Sequence, residues 1–328
     1  MSVARRSLQI VAFICTLVVG VASMAVIVTQ TTWFKEWLRG FIVRQAQGYM
    51  NGRLSIGRLD GNLFFGVQLE DIDVTMNGKK VVEVKDVGLD YNAFSFISGD
   101  VVLDDIRLNQ PTIRLEKIGE GWNITQLIKA RTPDPDQPKN RRPIEIGEIG
   151  VTDGTLEFNG QPVGTSGVNV PERIDKLNAS IGVTSDEDAL NVEIAHVSLR
   201  GHEPSIGIND LSGHVVRTEN QLRFEGVALR TEESSLRVNG TVHNIEGGTA
   251  AIDLTASSDK LDLEEISRIV PALRGYELQP AFEVTAKGPA DRLAVDLNAR
   301  EKNIGNIIAD VTVDALEPTR RVAGTVKM

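Results

Sequence analysis

Two hydrophobic patterns divide the chain. Residues 8–28 form an almost uninterrupted apolar run; at a rise of about 1.5 Å per residue, roughly 20 such positions span the hydrocarbon core of a bilayer. From residue 51 onward, short stretches of Val, Ile and Leu alternate with polar residues, with Gly, Asn and Asp between them. A period of two is typical of strands. The sequence therefore predicts a transmembrane helix followed by a mainly β body.

The apolar run favours an uncleaved membrane anchor. The alternative is a cleaved signal peptide, with Arg5 and Arg6 before the run and small residues at 23–25, but residues 26–28 continue the run beyond that site. Because a long domain after such an anchor is usually translocated, we expect residues 1–30 to form a cytoplasmic tip and a single-pass anchor. The predicted anchor side chains are Leu8, Ile10, Phe13, Ile14, Leu17, Val21, Val26 and Val28, followed by Trp33 and Trp37.

An amphipathic segment follows the anchor. Aromatic and aliphatic residues recur at helical spacing over 31–50, with charged residues mostly between them. This pattern predicts a helix at the membrane surface, with Trp33 and Trp37 near the lipid headgroups. An ordinary helix facing the protein core is the alternative, and either helix keeps the body close to the membrane.

One apolar unit recurs through the body, in which two alternating apolar pairs are separated by a two-residue step. The six full copies supply Val67, Leu69, Ile72 and Val74; Val82, Val84, Val87 and Leu89; Val101, Leu103, Ile106 and Leu108; Ile144, Ile146, Ile149 and Val151; Val192, Ile194, Val197 and Leu199; and Leu222, Phe224, Val227 and Leu229. Strict alternation would place the two pairs on opposite faces of a sheet. A β-bulge at the step would return them to the same face, and we favour it over a tight hairpin because most steps lack Asn-Gly or Asp-Gly.

The body divides at a proline-rich segment. Residues 131–143 carry four prolines and no apolar anchor, which predicts a linker between a first β segment (51–130) and a second (144–328). Helices are few. A short one should follow Gly121, Trp122 and Asn123, and a capping box at Asp262 and Glu265 should begin another.

Composition excludes several classes of chemistry. The chain has 328 residues with 35 Lys and Arg against 45 Asp and Glu, and this acidic balance argues against a nucleic-acid partner. Its single cysteine, Cys15, rules out a disulfide framework or a zinc ribbon. The sequence has no phosphate-binding loop, dinucleotide fingerprint, metalloprotease or serine-hydrolase motif. We expect a protein that is not an enzyme and has no cofactor and no metal.

Several motifs resemble the AsmA-like family of Gram-negative envelopes, which includes the AsmA and TamB branches. They are residues 53–64 after the anchor, the strand Leu103-Asp104-Asp105-Ile106 leading through Pro111 to Gly121-Trp122-Asn123, and the strand and turn at 146–156. The resemblance covers roughly residues 1–160. The remainder is similar only in its general pattern of apolar and polar residues. It implies a protein of the cell inner membrane with its N-terminus in the cytoplasm and its bulk in the periplasm. It also implies an elongated, curled, mostly antiparallel β-sheet that forms a groove.

The resemblance implies a role in outer-membrane biogenesis, with the inner membrane and phospholipid as partners. The 24 apolar positions of the repeated unit would then line a groove that shields acyl chains. The alternative is an assembly factor, which docks an outer-membrane β-barrel or another envelope protein through an exposed strand edge. A membrane-tethered β domain with a closed core is a third reading. We expect the second β segment to be incomplete at its C-terminus.

Overall fold

The computed structural model describes residues 27–62, 66–91, 101–119, 121–129, 144–159, 167–186, 188–315 and 322–327. The predicted anchor residues Leu8 to Val26 and the predicted linker at 131–143 lie outside these ranges. Within them, no helix combines the length and the hydropathy that crossing a bilayer requires.

One α-helix of 18 residues, two α-helices of five residues and two 3₁₀ turns accompany the sheet in the described residues. They are α1 (Thr32–Tyr49), α2 (Asn123–Leu127), α3 (Leu263–Ser267), η1 (Pro271–Leu273) and η2 (Ala290–Arg292).

Seventeen strands carry most of the described chain. They are β1 (Arg53–Asn62), β2 (Gly66–Met76), β3 (Lys79–Tyr91), β4 (Val101–Asn109), β5 (Thr112–Ile118), β6 (Gly121–Trp122), β7 (Ile144–Asn159), β8 (Arg173–Ser185), β9 (Ala189–His202), β10 (Ile206–Thr218), β11 (Gln221–Thr231), β12 (Ser235–His243), β13 (Ala251–Ser258), β14 (Ala281–Pro289), β15 (Leu293–Glu301), β16 (Gly305–Val313) and β17 (Val322–Lys327).

The strands follow one another across a long, mainly antiparallel sheet. From β7 to β17 each strand pairs with the next in sequence, and β1, β2 and β3 do the same. Strands β4 and β5 lie between the same two neighbours in the sheet, because both pair with β3 on one side and with β7 on the other. The pairings with β7 are parallel, so the two predicted β segments belong to the same sheet.

The predicted bulges occur in four of the six units. The register shifts at the two-residue step where β4 meets β3, where β7 meets β8, where β9 meets β8 and β10, and where β11 meets β12. In β2 and β3 the register is kept through the step, because the regular alternation is interrupted at the same level in β1, β2 and β3. At this step the positive φ of Asp71, 52°, interrupts the regular alternation of side chains in β2, in place of a bulge.

Two buried clusters form the core at the β1 end of the sheet. Ile56, Ile72 and Val84 pack under Ile42 and Val43 of α1. Val74, Met76 and Val81 pack against Leu127 of α2, with Ile118 and Ile124 beside them. Helices α1 and α2 therefore cover the apolar side chains of the first strands.

The predicted capping box forms only by half. Asp262 accepts a hydrogen bond from the Glu265 backbone N–H at 2.9 Å, as a cap should. The Glu265 side chain turns away to the β11–β12 connection and accepts bonds from the hydroxyls of Thr231 and Ser234, both at 2.6 Å. This buried carboxylate ties α3 to the end of the sheet.

Candidate functional site

A row of uncharged, mainly apolar positions crosses thirteen neighbouring strands. Residues directly opposite in a paired ladder project from the same face, so the row can be followed from partner to partner. It consists of Tyr91, Leu103, Ile146, Val183, Val192, Val215, Phe224, Gly240, Leu254, Ala286, Val295, Val311 and Gly324. At roughly 4.8 Å per strand the row extends on the order of 58 Å.

Further rows run beside it. Val87, Leu108, Val151, Ala179, Val197, Leu211 and Leu229 are successive partners from β3 to β11. Toward β17 a shorter row continues on the same face: Val284 pairs with Leu297, and Leu297 pairs with Ala309. We call the face that carries these rows the apolar face.

Both apolar pairs of a unit lie on the same face in β2 and β3. Leu69 and Val87, from one side of the step, pack against the same buried cluster as Val82 and Leu54 from the other side. The change of face that simple alternation would impose is therefore cancelled in these strands.

The predicted groove positions differ in how far they are covered. Ile72, Val74 and Val84 are buried, and every other position whose side chain is described is half-buried. The side chains of Val101 and Ile144 are not among those described. Within the described residues, no cluster of buried apolar side chains forms over β8 to β17. Among the residues that the structure describes, that part of the apolar face carries no packed layer comparable to α1 and α2.

The opposite face carries charges in alternating sign. Lys80 contacts Asp73 at 3.2 Å and Glu83 at 2.5 Å. Arg114 pairs with Glu83 and lies 3.1 Å from Glu157, which in turn lies 3.2 Å from Arg173. We call this set, which runs from β2 to β8, the charge ladder. Asp73, Glu83, Arg114 and Glu157 each lie between two apolar positions of their strands, so this part of the sheet is apolar on one face and ionic on the other.

The charge ladder shifts the titration of its members. The hydrogen bond to Glu83, and after it the one to Asp73, raises the pKa of Lys80 above its ordinary value. The hydrogen bonds from Lys80 and then Arg114 hold the pKa of Glu83 below its ordinary 4.5. Burial against the sheet raises the pKa of the Tyr91 hydroxyl, at the start of the long apolar row.

Helix α1 presents an aromatic surface away from the sheet. Thr31 accepts a hydrogen bond from the Phe34 N–H and begins the helix. Trp33 is 72% exposed and Trp37 48% exposed; Trp37 stacks on Phe41 with ring centroids 5.7 Å apart. Of the other predicted anchor residues, Val28 is described and is exposed. We call Trp33, Trp37 and Phe41 the aromatic ridge.

The inner side of α1 also occupies the outer edge of β1. Arg39 donates hydrogen bonds to the carbonyl oxygens of Ile56 at 2.9 Å and Gly57 at 2.8 Å. Lys35 pairs with Asp60 at 2.9 Å, and this hydrogen bond lowers the pKa of Asp60. A strand edge that would otherwise offer free carbonyls is thus partly satisfied by the helix.

The Gly121-Trp122-Asn123 motif has a structural task. The buried Asn123 side chain accepts a hydrogen bond from the Glu116 N–H at 3.0 Å and donates one to the Arg114 carbonyl at 2.8 Å. Trp122 packs edge-on against Phe158 with centroids 6.2 Å apart. These contacts hold α2, and with it Leu127, over the first strands.

Sequence reasoning missed the apolar positions of β12 to β17. They alternate simply, without the two-residue step, so a search for the repeated unit passes over them. Period-two alternation of residues such as Leu254, Val284, Val295 and Val311 is the signal that finds them.

Comparison with known proteins gives one family match. The model described as the AsmA family matches residues 5–268. No curated protein and no solved structure matches the chain significantly.

Proposed function

Because the chain belongs to the AsmA family, we propose that it acts in outer-membrane biogenesis by shielding the acyl chains of phospholipids between the two membranes of the envelope. In this proposal the protein is a carrier and not an enzyme. It is anchored in the inner membrane by residues 8–28, with the N-terminus cytoplasmic and the sheet in the periplasm.

The observation that carries the proposal is the continuous apolar row from β3 to β17. Thirteen successive strands contribute an uncharged position to it, and the open part of the apolar face has no packed layer in the described residues. An extended apolar surface of this kind must be covered by something in water. In our proposal the sheet curls around the acyl chain and forms a groove.

Acyl chains suit this surface energetically. Burial of each CH₂ group is worth about 0.8 kcal/mol, so one fatty chain would be held by on the order of 10 kcal/mol. Because neighbouring strands offer similar side chains, a chain that moves along the row exchanges like contacts for like. Movement then needs no specific polar site on the apolar face.

The aromatic ridge supports the placement beside a membrane. Indole rings at the end of an apolar run are typical of the bilayer interface. We propose that α1 lies against the inner membrane with Trp33, Trp37 and Phe41 toward the lipid headgroups, while Ile42 and Val43 pack on the sheet.

The alternative role, docking an outer-membrane protein through a strand edge, stays a prediction. It requires free backbone groups, and the carbonyls of Ile56 and Gly57 on the β1 edge are already bonded to Arg39. This contact does not favour strand addition at β1. The edge on which the alternative is based is that of the last strand, β17, which among the described strands pairs only with β16.

A charge placed on either face of the same strand tests the proposal. Val295 lies in the long row and is half-buried, whereas its exposed neighbour Ala294 projects from the opposite face of β15. We expect Val295→Asp to reduce co-purifying phospholipid at least about fivefold, because an ionised carboxylate against an apolar ligand costs more than the about 1–3 kcal/mol of an unpaired neutral polar group. Mass spectrometry of protein purified in gentle detergent gives the measurement.

Ala294→Asp is the matched control and should retain the wild-type amount of lipid. Thermal unfolding followed by circular dichroism verifies that both variants are folded. Equal lipid in Val295→Asp and wild type would contradict the proposal.

A further inference from the structure

A cleft of about 700 Å³ lies at one end of the strands, next to Glu157 and Arg173 at the β8 end of the charge ladder. The end of β7, the segment 168–170, the start of β8, the β9–β10 turn and the connection after α3 surround it. Its apolar lining includes Phe158, Val168 and Val170, and its charged lining consists of Glu172, Glu203, Arg268 and Arg274.

Hydrogen bonds between distant segments build this cleft. The Asn169 N–H donates to the Ile269 carbonyl at 2.7 Å, and the Phe158 N–H donates to the Glu172 carbonyl at 2.8 Å. The Glu172 N–H donates to the His202 carbonyl at 3.0 Å. Together with the buried Glu265 contacts that hold α3, these bonds fix the walls relative to the sheet.

The cleft opens at the end of the apolar face. Leu156 pairs with Ile113, and Ile113 pairs with Val82, which packs against the buried cluster on the apolar face. Phe158 follows Leu156 at period two and projects from the same face. Phe158 therefore connects the rows of the apolar face with the cleft.

The four charged side chains of the cleft are exposed and lie in connections between strands. Several arginines and glutamates on the strands form ion pairs across the sheet. In the part of the chain that the structure describes, none of the side chains of Glu172, Glu203, Arg268 and Arg274 has a hydrogen bond or an ion pair. Two cationic and two anionic groups thus surround one cleft without being paired to neighbours.

We propose that this cleft binds the zwitterionic headgroup of a phospholipid whose acyl chains lie on the apolar face. Arg268 and Arg274 pair with the phosphate, since guanidinium groups bind phosphate oxygens through paired hydrogen bonds. Glu172 and Glu203 pair with the amine. This inference rests on the proposed function and assigns the headgroup chemistry of the same surface.

A competition between lipids of identical acyl chains tests the site. The full chain in dodecyl maltoside is incubated with equal amounts of phosphatidylethanolamine, phosphatidylglycerol and diacylglycerol, and bound lipid is counted by native mass spectrometry. We expect phosphatidylethanolamine to be enriched over both others. Arg268→Ala with Arg274→Ala should lower binding of both phospholipids about tenfold and leave diacylglycerol binding unchanged.

Two further variants separate charge from fold. Glu172→Gln with Glu203→Gln should remove the preference for phosphatidylethanolamine over phosphatidylglycerol without lowering total binding. The matched control is Arg230→Ala with Arg292→Ala, which removes two exposed arginines outside the cleft and should behave as wild type.

The outcomes distinguish this inference from the proposed function. If the Arg268 and Arg274 variant binds phosphatidylethanolamine as wild type does while diacylglycerol also binds, the headgroup site is wrong and the apolar face stands. If no lipid binds to wild type, both the proposed function and the headgroup site are wrong. If inorganic phosphate or phosphoethanolamine displaces the lipids as well as a chain-bearing competitor does, the cleft is a site for a soluble phosphate and the inference is overturned.

Discussion

Glu83 illustrates how single side chains hold the ionic face together. Its carboxylate pairs with Lys80 on the same strand and with Arg114 on β5, and these contacts lower its pKa in the folded chain. A carboxyl whose folded pKa lies below its unfolded value stabilises the fold above the unfolded pKa, and the stabilisation is lost as the pH falls through the folded pKa.

We therefore predict a weaker acid sensitivity in Glu83→Gln. The ordinary pKa of 4.5 sets the upper limit of the window, so wild type should lose melting temperature between about pH 5 and pH 3. The glutamine cannot titrate, and its melting temperature should fall less over the same interval. The comparison uses thermal unfolding at matched ionic strength, and parallel curves for the two proteins would show that Glu83 is not part of the acid response.

Asn123 shows what the sequence could and could not reveal at this scale. Gly121-Trp122-Asn123 is recognisable as a family motif, and a short helix after it was correctly expected. The role of the amide was not predictable, because its partners Glu116 and Arg114 belong to a strand edge whose exposure depends on tertiary pairing. The unpaired charges of the cleft were missed for the same reason, since they are separated by up to about a hundred residues in the sequence.

Individual strands are the level at which sequence patterns predicted most. Alternation located the strands, and the two-residue step located bulges in β4, β7, β9 and β11. The step in β2 and β3 is different because the alternation is interrupted at the same level in three adjacent strands, so their mutual register does not shift. The parallel pairing of β7 with β4 and β5 leaves no local signal, since the crossover that permits it is a property of the whole chain.

Gly240 shows how β12 and β13 approach closely within the long row. Its φ is +129°, and a Cβ atom there would lie 2.8 Å from Cα of Leu254. We predict that Gly240→Val lowers the free energy of unfolding by about 2 kcal/mol or more, through overpacking and an unfavourable backbone conformation. Urea denaturation provides the measurement.

Gly248→Val is the matched control for that prediction. Gly248 also has a positive φ, +82°, but nothing lies within 4 Å of the position of its Cβ atom. The Gly248→Val variant therefore has the cost of a positive φ without a steric clash of the new side chain. If both variants lose the same stability, close approach at Gly240 is not the cause.

The whole molecule is a sheet with two chemically distinct faces. One face is tied across its strands by ion pairs, and the other carries apolar rows that α1 and α2 cover at the β1 end. The family and the mainly β, few-helix fold were predicted from sequence and are confirmed. Membrane attachment and lipid carriage are proposals of this account.

Photo-crosslinking in intact cells tests the role of the apolar face most directly. Benzoylphenylalanine is placed at Phe224, Leu254 or Val311 in the long row, and in separate variants at the adjacent Arg223, Asp253 or Thr312 on the opposite face. The account predicts phospholipid adducts at the three row positions and none above background at the three neighbours. Adducts absent from the row, or equally frequent on both faces, would contradict it.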